Sequence, residues 1–382
     1  MRIYILHIAT LLLLNFTTFG TPWIKKANFG GVGRHRAVGI AIANKGYMGL
    51  GHVNGTGVDI SYKDWWQYDP ASDTWTQKAN YPVNNHGAVS FATSTRGYVG
   101  GGSALSNEFY EYNPITNTWS PIAPCLISPG DTQGFSVNEK GYVYQTNQLA
   151  EYDPNNNIWT MKTPAPVSFG SWSCSFSNNS SGFIKSGTNF YEYKPANDSW
   201  MQRATFPGLM SNGSSAFGRD GKGYVTCGYV GGLSIVTNEV WEFDPGSNEW
   251  KYICEFPGTS RRFPVAFSIN GKGYFGTGTN GINLNDFWSF DFDPLETNEN
   301  SEFSIYTYPN PVTSELIIKT GAPLLSNNCK LTLFNLSGEK ISEFDLNEET
   351  QTIENLEYIN GIHIYTIHND ERIITTGKIL FE

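Results

Sequence analysis

The chain has 382 residues, 40 of them Gly, with 15% aromatic and only 16% charged residues, and its net charge is −10. This composition favours many short strands joined by tight turns over long surface helices. No run of Lys and Arg provides the basic face that nucleic acid or an anionic membrane requires, so we expect neither as a partner.

Residues 1–20 have the pattern of an export signal. Arg2 gives a short positive region, residues 3–14 form an apolar core, and Thr18 and Gly20 are small residues at a cleavage point after Gly20. The apolar stretch is too short to span a bilayer, and no later stretch approaches that length. The sequence therefore predicts a signal peptide over 1–20 and no membrane span.

A unit containing a Gly-aromatic pair, a Tyr-Asp-Pro-like turn and a spaced Trp recurs after residue 23. The six pairs are Gly46-Tyr47, Gly97-Tyr98, Gly141-Tyr142, Gly182-Phe183, Gly223-Tyr224 and Gly273-Tyr274. The six turns are Tyr68-Asp69-Pro70, Tyr112-Asn113-Pro114, Tyr152-Asp153-Pro154, Tyr193-Lys194-Pro195, Phe243-Asp244-Pro245 and Phe292-Asp293-Pro294. The tryptophans are Trp75, Trp119, Trp159, Trp200 and Trp250.

Each copy of the unit predicts four strands, a to d. Strand c carries ring side chains on both faces, as Phe109 and Tyr110 do. Because successive strand residues point to opposite faces, such a strand must be covered on both sides. Radially stacked sheets provide that cover, and the glycines of strand b allow close backbone approach near the axis. We predict an all-β fold with a six-bladed β-propeller over residues 21–297.

The ordered Gly-Gly, Tyr-Asp-Pro and Trp elements resemble the kelch repeat, and this resemblance implies a kelch-type propeller. Copies three and four depart from the pattern, because residues 144–146 and 185–187 replace the second glycine cluster. Copy six has no Trp after Pro294, whereas Trp23 stands alone before copy one. We infer that the strand near Trp23 completes the last blade and closes the ring.

Residues 298–302 predict a polar linker, and residues 303–382 contain β-rich runs that predict a small antiparallel β-sandwich. Four segments of this region resemble the C-terminal sorting domain of type IX secretion, with His363 where Tyr or Leu is more usual. The segments are Tyr308-Pro309-Asn310-Pro311-Val312, Leu333-Phe334-Asn335-Leu336-Ser337-Gly338, Asn360-Gly361-Ile362-His363-Ile364-Tyr365 and Thr376-Gly377-Lys378-Ile379.

This second resemblance implies that the secretion machinery is a partner of the C-terminal domain. It also implies passage through the periplasm and the outer membrane, removal of the domain on export, and a secreted or outer-membrane surface location. An ordinary carbohydrate-binding or adhesive β-sandwich is the alternative for residues 303–382.

The b–c loops are long in copies one, five and six, at residues 52–63, 229–237 and 279–285. In a blade whose strands alternate in direction, the b–c and d–a loops share one face. Copies five, six and one are neighbours in a closed ring, so their loops are expected to form one raised wall. Long loops on a rigid scaffold commonly bind ligands.

The residue eleven positions before each Gly-aromatic pair is expected to begin strand a, near the axis and on the same face. Polar and cationic groups that converge there with a Trp would suit an acidic sugar or a peptide carboxylate. The alternative is a set of solvated loop residues and axial caps. The predicted binding residues are Arg34, His35, Arg36, His86, Asp131, Trp172, Asn212, Arg261 and Arg262.

His35 and His86 hold equivalent positions, which invites comparison with the copper site of galactose oxidase, another kelch-type protein. That enzyme needs a Tyr–Cys pair that no motif in this chain identifies, and the five Cys match no zinc spacing. No phosphate-binding loop, dinucleotide fingerprint or nucleophile elbow is present. We therefore predict no catalytic residue, no metal and no cofactor.

Two functions stay open at this point. The first is a secreted or cell-surface module that binds a protein or a glycan through the b–c and d–a loops. The alternative is a carbohydrate-active enzyme on a kelch propeller, similar to sialic-acid mutarotase or, less closely, to galactose oxidase; a structural surface role is a third reading. Fold alone does not decide between them.

Overall fold

The computed structural model describes residues 22–55, 57–291, 306–308, 312, 315–319, 329–335, 338–348, 350–354, 360–368 and 373–381. The predicted signal peptide (1–20) and linker (298–302) lie outside these residues. The chain divides into two compact units, Met1–Pro294 and Leu295–Glu382. In the part of the chain that is described, no helix is long and apolar enough to cross a bilayer.

Over its described residues, the first unit forms six four-stranded antiparallel sheets. Sheet 1 contains Val38–Ile42, Lys45–Gly49, Trp65–Asp69 and Thr74–Lys78. Sheet 2 contains Val89–Ala92, Gly97–Gly100, Phe109–Asn113 and Thr118–Pro121. Sheet 3 contains Phe135–Val137, Lys140–Gln145, Gln148–Asp153 and Ile158–Met161.

The remaining three sheets follow the same order of strands. Sheet 4 contains Cys174–Ser177, Gly182–Ser186, Asn189–Lys194 and Ser199–Gln202, with a 3-10 turn at Pro195–Asn197. Sheet 5 contains Ser215–Arg219, Lys222–Val230, Gly232–Asp244 and Glu249–Glu255. Sheet 6 contains Val265–Ile269, Lys272–Gly276, Phe287–Phe290 and the N-terminal strand Trp23–Lys26.

Strand a of each sheet lies beside strand a of the next sheet, from sheet 1 to sheet 6 and back to sheet 1. The glycine of each Gly-aromatic pair makes this approach close. A Cβ on Gly141 would overlap the ring of Phe91 in the preceding sheet, and a Cβ on Gly182 would overlap Phe135. Apolar clusters fill each junction between neighbouring sheets, so the sheets are held together by burial of their flanking faces.

A repeated clamp explains the spaced tryptophans. Between sheets 1 and 2, the Trp119 indole donates to the Ala79 carbonyl at 2.9 Å, and the Asn117 side chain accepts from the Ala79 amide at 2.9 Å. The Tyr112 hydroxyl holds Asn117 in place. In the described residues the Trp and Asp or Asn pairs of this clamp are Asp73 and Trp75, Asn117 and Trp119, Asn157 and Trp159, Asp198 and Trp200, and Asn248 and Trp250.

The N-terminal strand occupies the outer position of sheet 6, because Trp23 to Lys26 pair with residues 287–290. Trp23 lies opposite Phe290, the register that Trp75 keeps with Tyr68 in sheet 1. Phe290 in turn pairs with Gly273, so the residues equivalent to the Tyr-Asp turn are Phe290 and Asp291. The turn predicted at residues 292–294 falls outside the described residues, two positions later than this register.

The second unit contains two sheets in its described residues. The three-stranded sheet contains Tyr306–Tyr308, Leu316–Lys319 and Thr350–Ile353. The four-stranded sheet contains Lys330–Phe334, Lys340–Asp345, Gly361–His368 and Ile373–Phe381. One apolar cluster draws on both sheets, with Leu316, Leu331 and Ile367 fully buried in it, and His363 packs edge-on against Phe381.

Candidate ligand-binding site

Six residues, one before strand a of each sheet, form a closed ring of backbone hydrogen bonds, which we call the axial ring. Each amide donates to the carbonyl of the ring residue in the preceding sheet, as Gly87 does to Arg36 at 2.9 Å, and the Arg36 amide closes the ring on Phe263 at 3.3 Å. All six have φ between 53° and 70°. The axial ring consists of Arg36, Gly87, Asp131, Trp172, Gly213 and Phe263.

Four of these six residues are not glycine, although the left-handed region disfavours side chains. Backbone strain of this kind costs about 1–3 kcal/mol per residue and persists where surrounding contacts enforce it, most often at functional sites. The ring of hydrogen bonds is the enforcing contact here. It places four large side chains around one axis.

The side chains of the axial ring divide into a charged half and an aromatic half. Arg36 and Asp131 form a two-point ion pair, with Nε 2.6 Å from Oδ1, and each side chain is about one fifth exposed. Trp172 and Phe263 face each other with ring centroids 5.2 Å apart. Gly87 lies between the charged partners in ring order, and a Cβ there would collide with the Asp131 carboxylate.

A cavity of about 120 Å³ opens at the axial ring. Its wall continues inward with hydroxyl and amide side chains. Some of these are bonded to each other, since the Gln133 side chain donates to Ser215 and accepts from the Ser175 amide. The polar residues of the wall are Ser90, Thr132, Gln133, Ser173, Ser175 and Ser214.

Two buried donors on this wall lack a hydrogen-bond partner among the described residues: the Nε1 of Trp172 and the Oγ of Ser214. Ser214 is more than nine-tenths buried. A buried donor without a partner costs about 1–3 kcal/mol, so such groups call for an explanation. Both atoms would be satisfied by acceptors of a polar ligand in the cavity.

Three of the nine predicted site residues, Arg36, Asp131 and Trp172, line this cavity together. Arg34 and Arg261 lie elsewhere, fully buried behind the loops. The Arg34 guanidinium pairs with Asp64, packs over the Tyr62 ring at 4.1 Å and donates to the Leu50 carbonyl. Arg261 repeats the arrangement with Asp286, which also accepts from the Trp288 indole at 2.8 Å.

These two arginines therefore do not belong to the binding site that the sequence predicts for them. They lie close to ring residues along the chain, but each side chain points back into its own sheet. Its charge is balanced by a carboxylate and covered by aromatic rings. They fasten the d–a loop to strand c in sheets 1 and 6.

The other four predicted residues directly precede ring residues but do not line the cavity. Asn212 bridges two loops, because its side chain donates to the Ser171 carbonyl and accepts from the Gly187 amide. Arg262 lies over the Phe263 ring, and burial lowers its pKa. His35 and His86 flank a third histidine, His52, whose ring is stacked on His86 and tilted against His35.

Burial is the largest cause that lowers the pKa of all three histidines, and it brings the pKa of His52 to about 3. Nearby positive charge on Arg36 acts in the same direction on each of them. Where the structure describes the chain, no group of three His, Cys, Asp or Glu side chains is arranged to hold a metal ion.

The sequence analysis did not identify Phe263, Gly87 and Gly213. All six ring residues lie ten positions before a Gly-aromatic pair, whereas the prediction used the position eleven before it. At that position the sequence has Arg, Gly, Asp, Trp, Gly and Phe, so large side chains come in two adjacent pairs separated by glycine. Only the closed hydrogen-bond ring shows that this position faces the axis in every sheet.

Residues 306–382 match the family described as secretion system C-terminal sorting domain. The sorting domain expected from the sequence is thus present, and it supports export of the chain. No curated protein matches the chain. Among solved structures, one titled "Structure of YjhT" aligns with a TM-score of 0.58 and 16% identity, over 68% of this chain and 95% of that one. At this level of identity the similarity is evidence for the fold only, and it supports a propeller-like all-β architecture.

Proposed function

We propose that this chain is a secreted or cell-surface recognition module that binds a carbohydrate at the axial ring. In this proposal the six sheets are the blades of a kelch-type propeller, and the C-terminal unit is a β-sandwich that the type IX secretion machinery recognises. Residues 21–297 and 303–382 are the two domains. The single observation that carries the binding role is the axial ring with its two unpaired buried donors.

The chemistry of the ring matches a sugar better than an apolar or a strongly charged ligand. Trp172 and Phe263 offer aromatic surface to the C–H face of a sugar ring. Arg36 and Asp131 offer donors and acceptors in a fixed plane for hydroxyl groups. Because the two charges neutralise each other, the site does not require a charged ligand. The hydroxyl and amide side chains of the cavity wall add further hydrogen-bonding groups for sugar hydroxyls.

The loops of sheets 5, 6 and 1 supply a second surface beside the ring. Sheet 1 adds a hairpin of His52–Gly55 and Val58–Ser61, which we call the sheet-1 hairpin, and sheet 5 extends its b–c hairpin through Val230. Ile60, Ile235 and Ile282 are at least half exposed on these loops. These loops would contact the rest of a longer glycan, or part of a protein to which the glycan is attached.

An enzyme that acts on an acidic sugar is the second candidate, and Arg262 is the observation that favours it. Arg262 directly precedes Phe263 of the ring, and its guanidinium would suit a sugar carboxylate. Turnover of acidic sugars by the purified chain, lost in Arg262→Ala, would support this candidate over simple recognition.

The decisive test is a glycan array probed with the purified chain, followed by calorimetry on the sugar it selects. We expect Trp172→Ala to weaken binding by about 2 kcal/mol, roughly thirtyfold, because it removes the aromatic surface and one unpaired donor. Tyr252→Ala is the matched control, since Tyr252 is an exposed aromatic residue on an outer strand. Equal affinity of the Trp172 variant and the control would refute the axial site, and binding only to peptides would refute the sugar.

A further inference from the structure

Three histidines lie in one row beside the axial ring. His52 begins the sheet-1 hairpin, and its ring lies 4.3 Å from the His35 ring and 4.0 Å from the His86 ring, centroid to centroid. His35 and His86 directly precede Arg36 and Gly87 of the axial ring. The row therefore connects the hairpin to the loops that carry the ring.

The two outer histidines tie the row to neighbouring loops. The Nδ1 of His35 lies 2.7 Å from the Asn283 Oδ1, on the b–c loop of sheet 6. The Nδ1 of His86 lies 2.8 Å from the Ser61 Oγ, at the end of the sheet-1 hairpin. His52 is buried, and in the described chain its Nδ1 has no hydrogen-bond partner. The central ring is thus held by stacking and by backbone pairing of His52 with His35.

The charged groups near the three histidines differ from one end of the row to the other. Arg36 faces all three rings, and Arg262 faces His35. Asp131 and Asp59 act only on His86, where their negative charge opposes Arg36. Burial is the first cause that lowers the pKa of each histidine, so the stack is neutral at pH 7. Among the described residues, no carboxylate acts on the central ring, so a proton there would have no negative partner.

We propose that His35, His52 and His86 form an acid-sensitive latch, which holds the sheet-1 hairpin against the axial ring at neutral pH and releases it in acid. Stacked neutral imidazoles attract, whereas two adjacent imidazolium ions 4 Å apart repel each other and Arg36. Opening of the hairpin hydrates the rings and separates the charges. The latch does not rest on the proposed function.

The direction of the pH dependence follows from proton linkage. A histidine that titrates near 6.5 when released and near 3 when latched binds more protons in the released state over that interval. The latched state is therefore fully favoured above about pH 7 and loses stability as the pH falls through 6.5. For His52 alone, opening becomes roughly twentyfold more frequent at pH 5 than at pH 7.

Hydrogen exchange of the full chain tests the latch, with the amides of the sheet-1 hairpin compared with those of residues 229–237. The second hairpin is a long b–c loop on the same face that contains no histidine, so the ratio of the two cancels the intrinsic effect of pH. We expect this ratio to rise at least twentyfold between pH 7 and pH 5. In His52→Phe, which keeps an aromatic ring in the row, the rise falls by about twentyfold.

His363→Phe serves as the control. Because His363 lies in the second unit, we expect this variant to keep the wild-type rise of the exchange ratio between pH 7 and pH 5. An NMR titration of the wild-type histidine Cε1 protons decides the question even where a variant fails to fold. A His52 midpoint at or above 6.5, an exchange ratio that is the same at both pH values, or a full rise in His52→Phe would each overturn the latch. Sugar binding measured at pH 7.5 is unaffected by any of these outcomes, which separates this test from that of the proposed function.

Discussion

At the scale of single residues, the axial ring depends on where glycine replaces a side chain. Gly87 has φ near 62°, and a Cβ there would lie 3.0 Å from the Arg36 guanidinium as well as colliding with Asp131. At Gly213, a Cβ would instead lie 2.7 Å from the Tyr229 ring and 3.1 Å from the Phe263 ring. Substitution at either position would therefore disturb side chains at the axial ring and not only the backbone.

We expect Gly87→Ala to destabilise the chain by about 1–2 kcal/mol more than Gly57→Ala, measured by chemical denaturation. Both glycines have positive φ, so both variants bear the same kind of backbone strain. Only Gly87 is crowded, because nothing lies within 4 Å of a Cβ at Gly57. Equal losses of unfolding free energy in the two variants would show that the Arg36–Asp131 pair does not depend on the absence of a side chain at Gly87.

The sequence predicted three of the four large ring residues, because Arg36, Asp131 and Trp172 stood near a position that recurs in the repeat. It could not separate them from Arg34 and Arg261, each of which lies two residues before a ring residue, Arg36 or Phe263. The difference lies in side-chain direction. Arg34 and Arg261 find carboxylate partners about 25–30 residues further along the chain, in Asp64 and Asp286, and such a pairing is visible only once the strands are in register.

At the scale of elements, the clamp joins neighbouring sheets through polar contacts at their outer edges, while the apolar clusters join their flanks. In each clamp, an Asn or Asp side chain accepts a hydrogen bond from the backbone amide of one residue that follows strand d. A Trp indole donates a hydrogen bond to the carbonyl of the same residue. Most of these amide bonds are exposed, so the clamp orients the outer edges and does not rescue buried backbone groups. The Trp spacing noticed in the sequence is thus a spacing between clamps.

The variant Asn117→Gly isolates the clamp, because glycine accepts the φ of 55° at this position without strain. It removes the acceptor for the Ala79 amide and the Tyr112 hydroxyl. We expect a loss of about 0.5–1.5 kcal/mol in the free energy of unfolding, the range of a typical hydrogen bond, because the bond to Ala79 is exposed. Asn138→Gly is the control, since Asn138 also has positive φ and is exposed. If both variants lose the same amount, the clamp contributes nothing beyond glycine flexibility.

At the scale of the whole molecule, closure depends on pairing between distant parts of the chain. Trp23 is buried against Phe256, Phe275 and Phe290, with ring centroids 4.8–5.6 Å apart. Sheet 6 would otherwise end at strand c. The N-terminal strand therefore joins the first and last copies of the repeat.

Removal of residues 22–28 should lower the melting temperature sharply, and Trp23→Ala should cost about 3–5 kcal/mol, as for other buried tryptophans. Ile24→Ala is the matched control, because Ile24 belongs to the same strand and is about half exposed. Thermal unfolding followed by circular dichroism compares the three. A truncated chain that melts at the temperature of the intact chain would rule out closure by this strand.

The repeat made most of the architecture predictable, since each unit shows the same order of glycine, ring residues and turn. The sixth copy ends in Phe-Asp-Phe-Asp-Pro and offers two Phe-Asp pairs, of which the predicted turn uses the second. Pairing of Phe290 with Gly273 and Trp23 selects the first of them. Local sequence could not make that choice, because the partner strand lies more than 260 residues away.

Binding at the axial ring can be seen directly in a crystal structure of the chain with the sugar that the glycan array selects. We expect electron density stacked on Trp172 or Phe263, with ligand oxygens within hydrogen-bond distance of the Trp172 Nε1 and the Ser214 Oγ. Density confined to the outer edges of the sheets or to the C-terminal unit, with the ring unoccupied at saturating sugar, would contradict it.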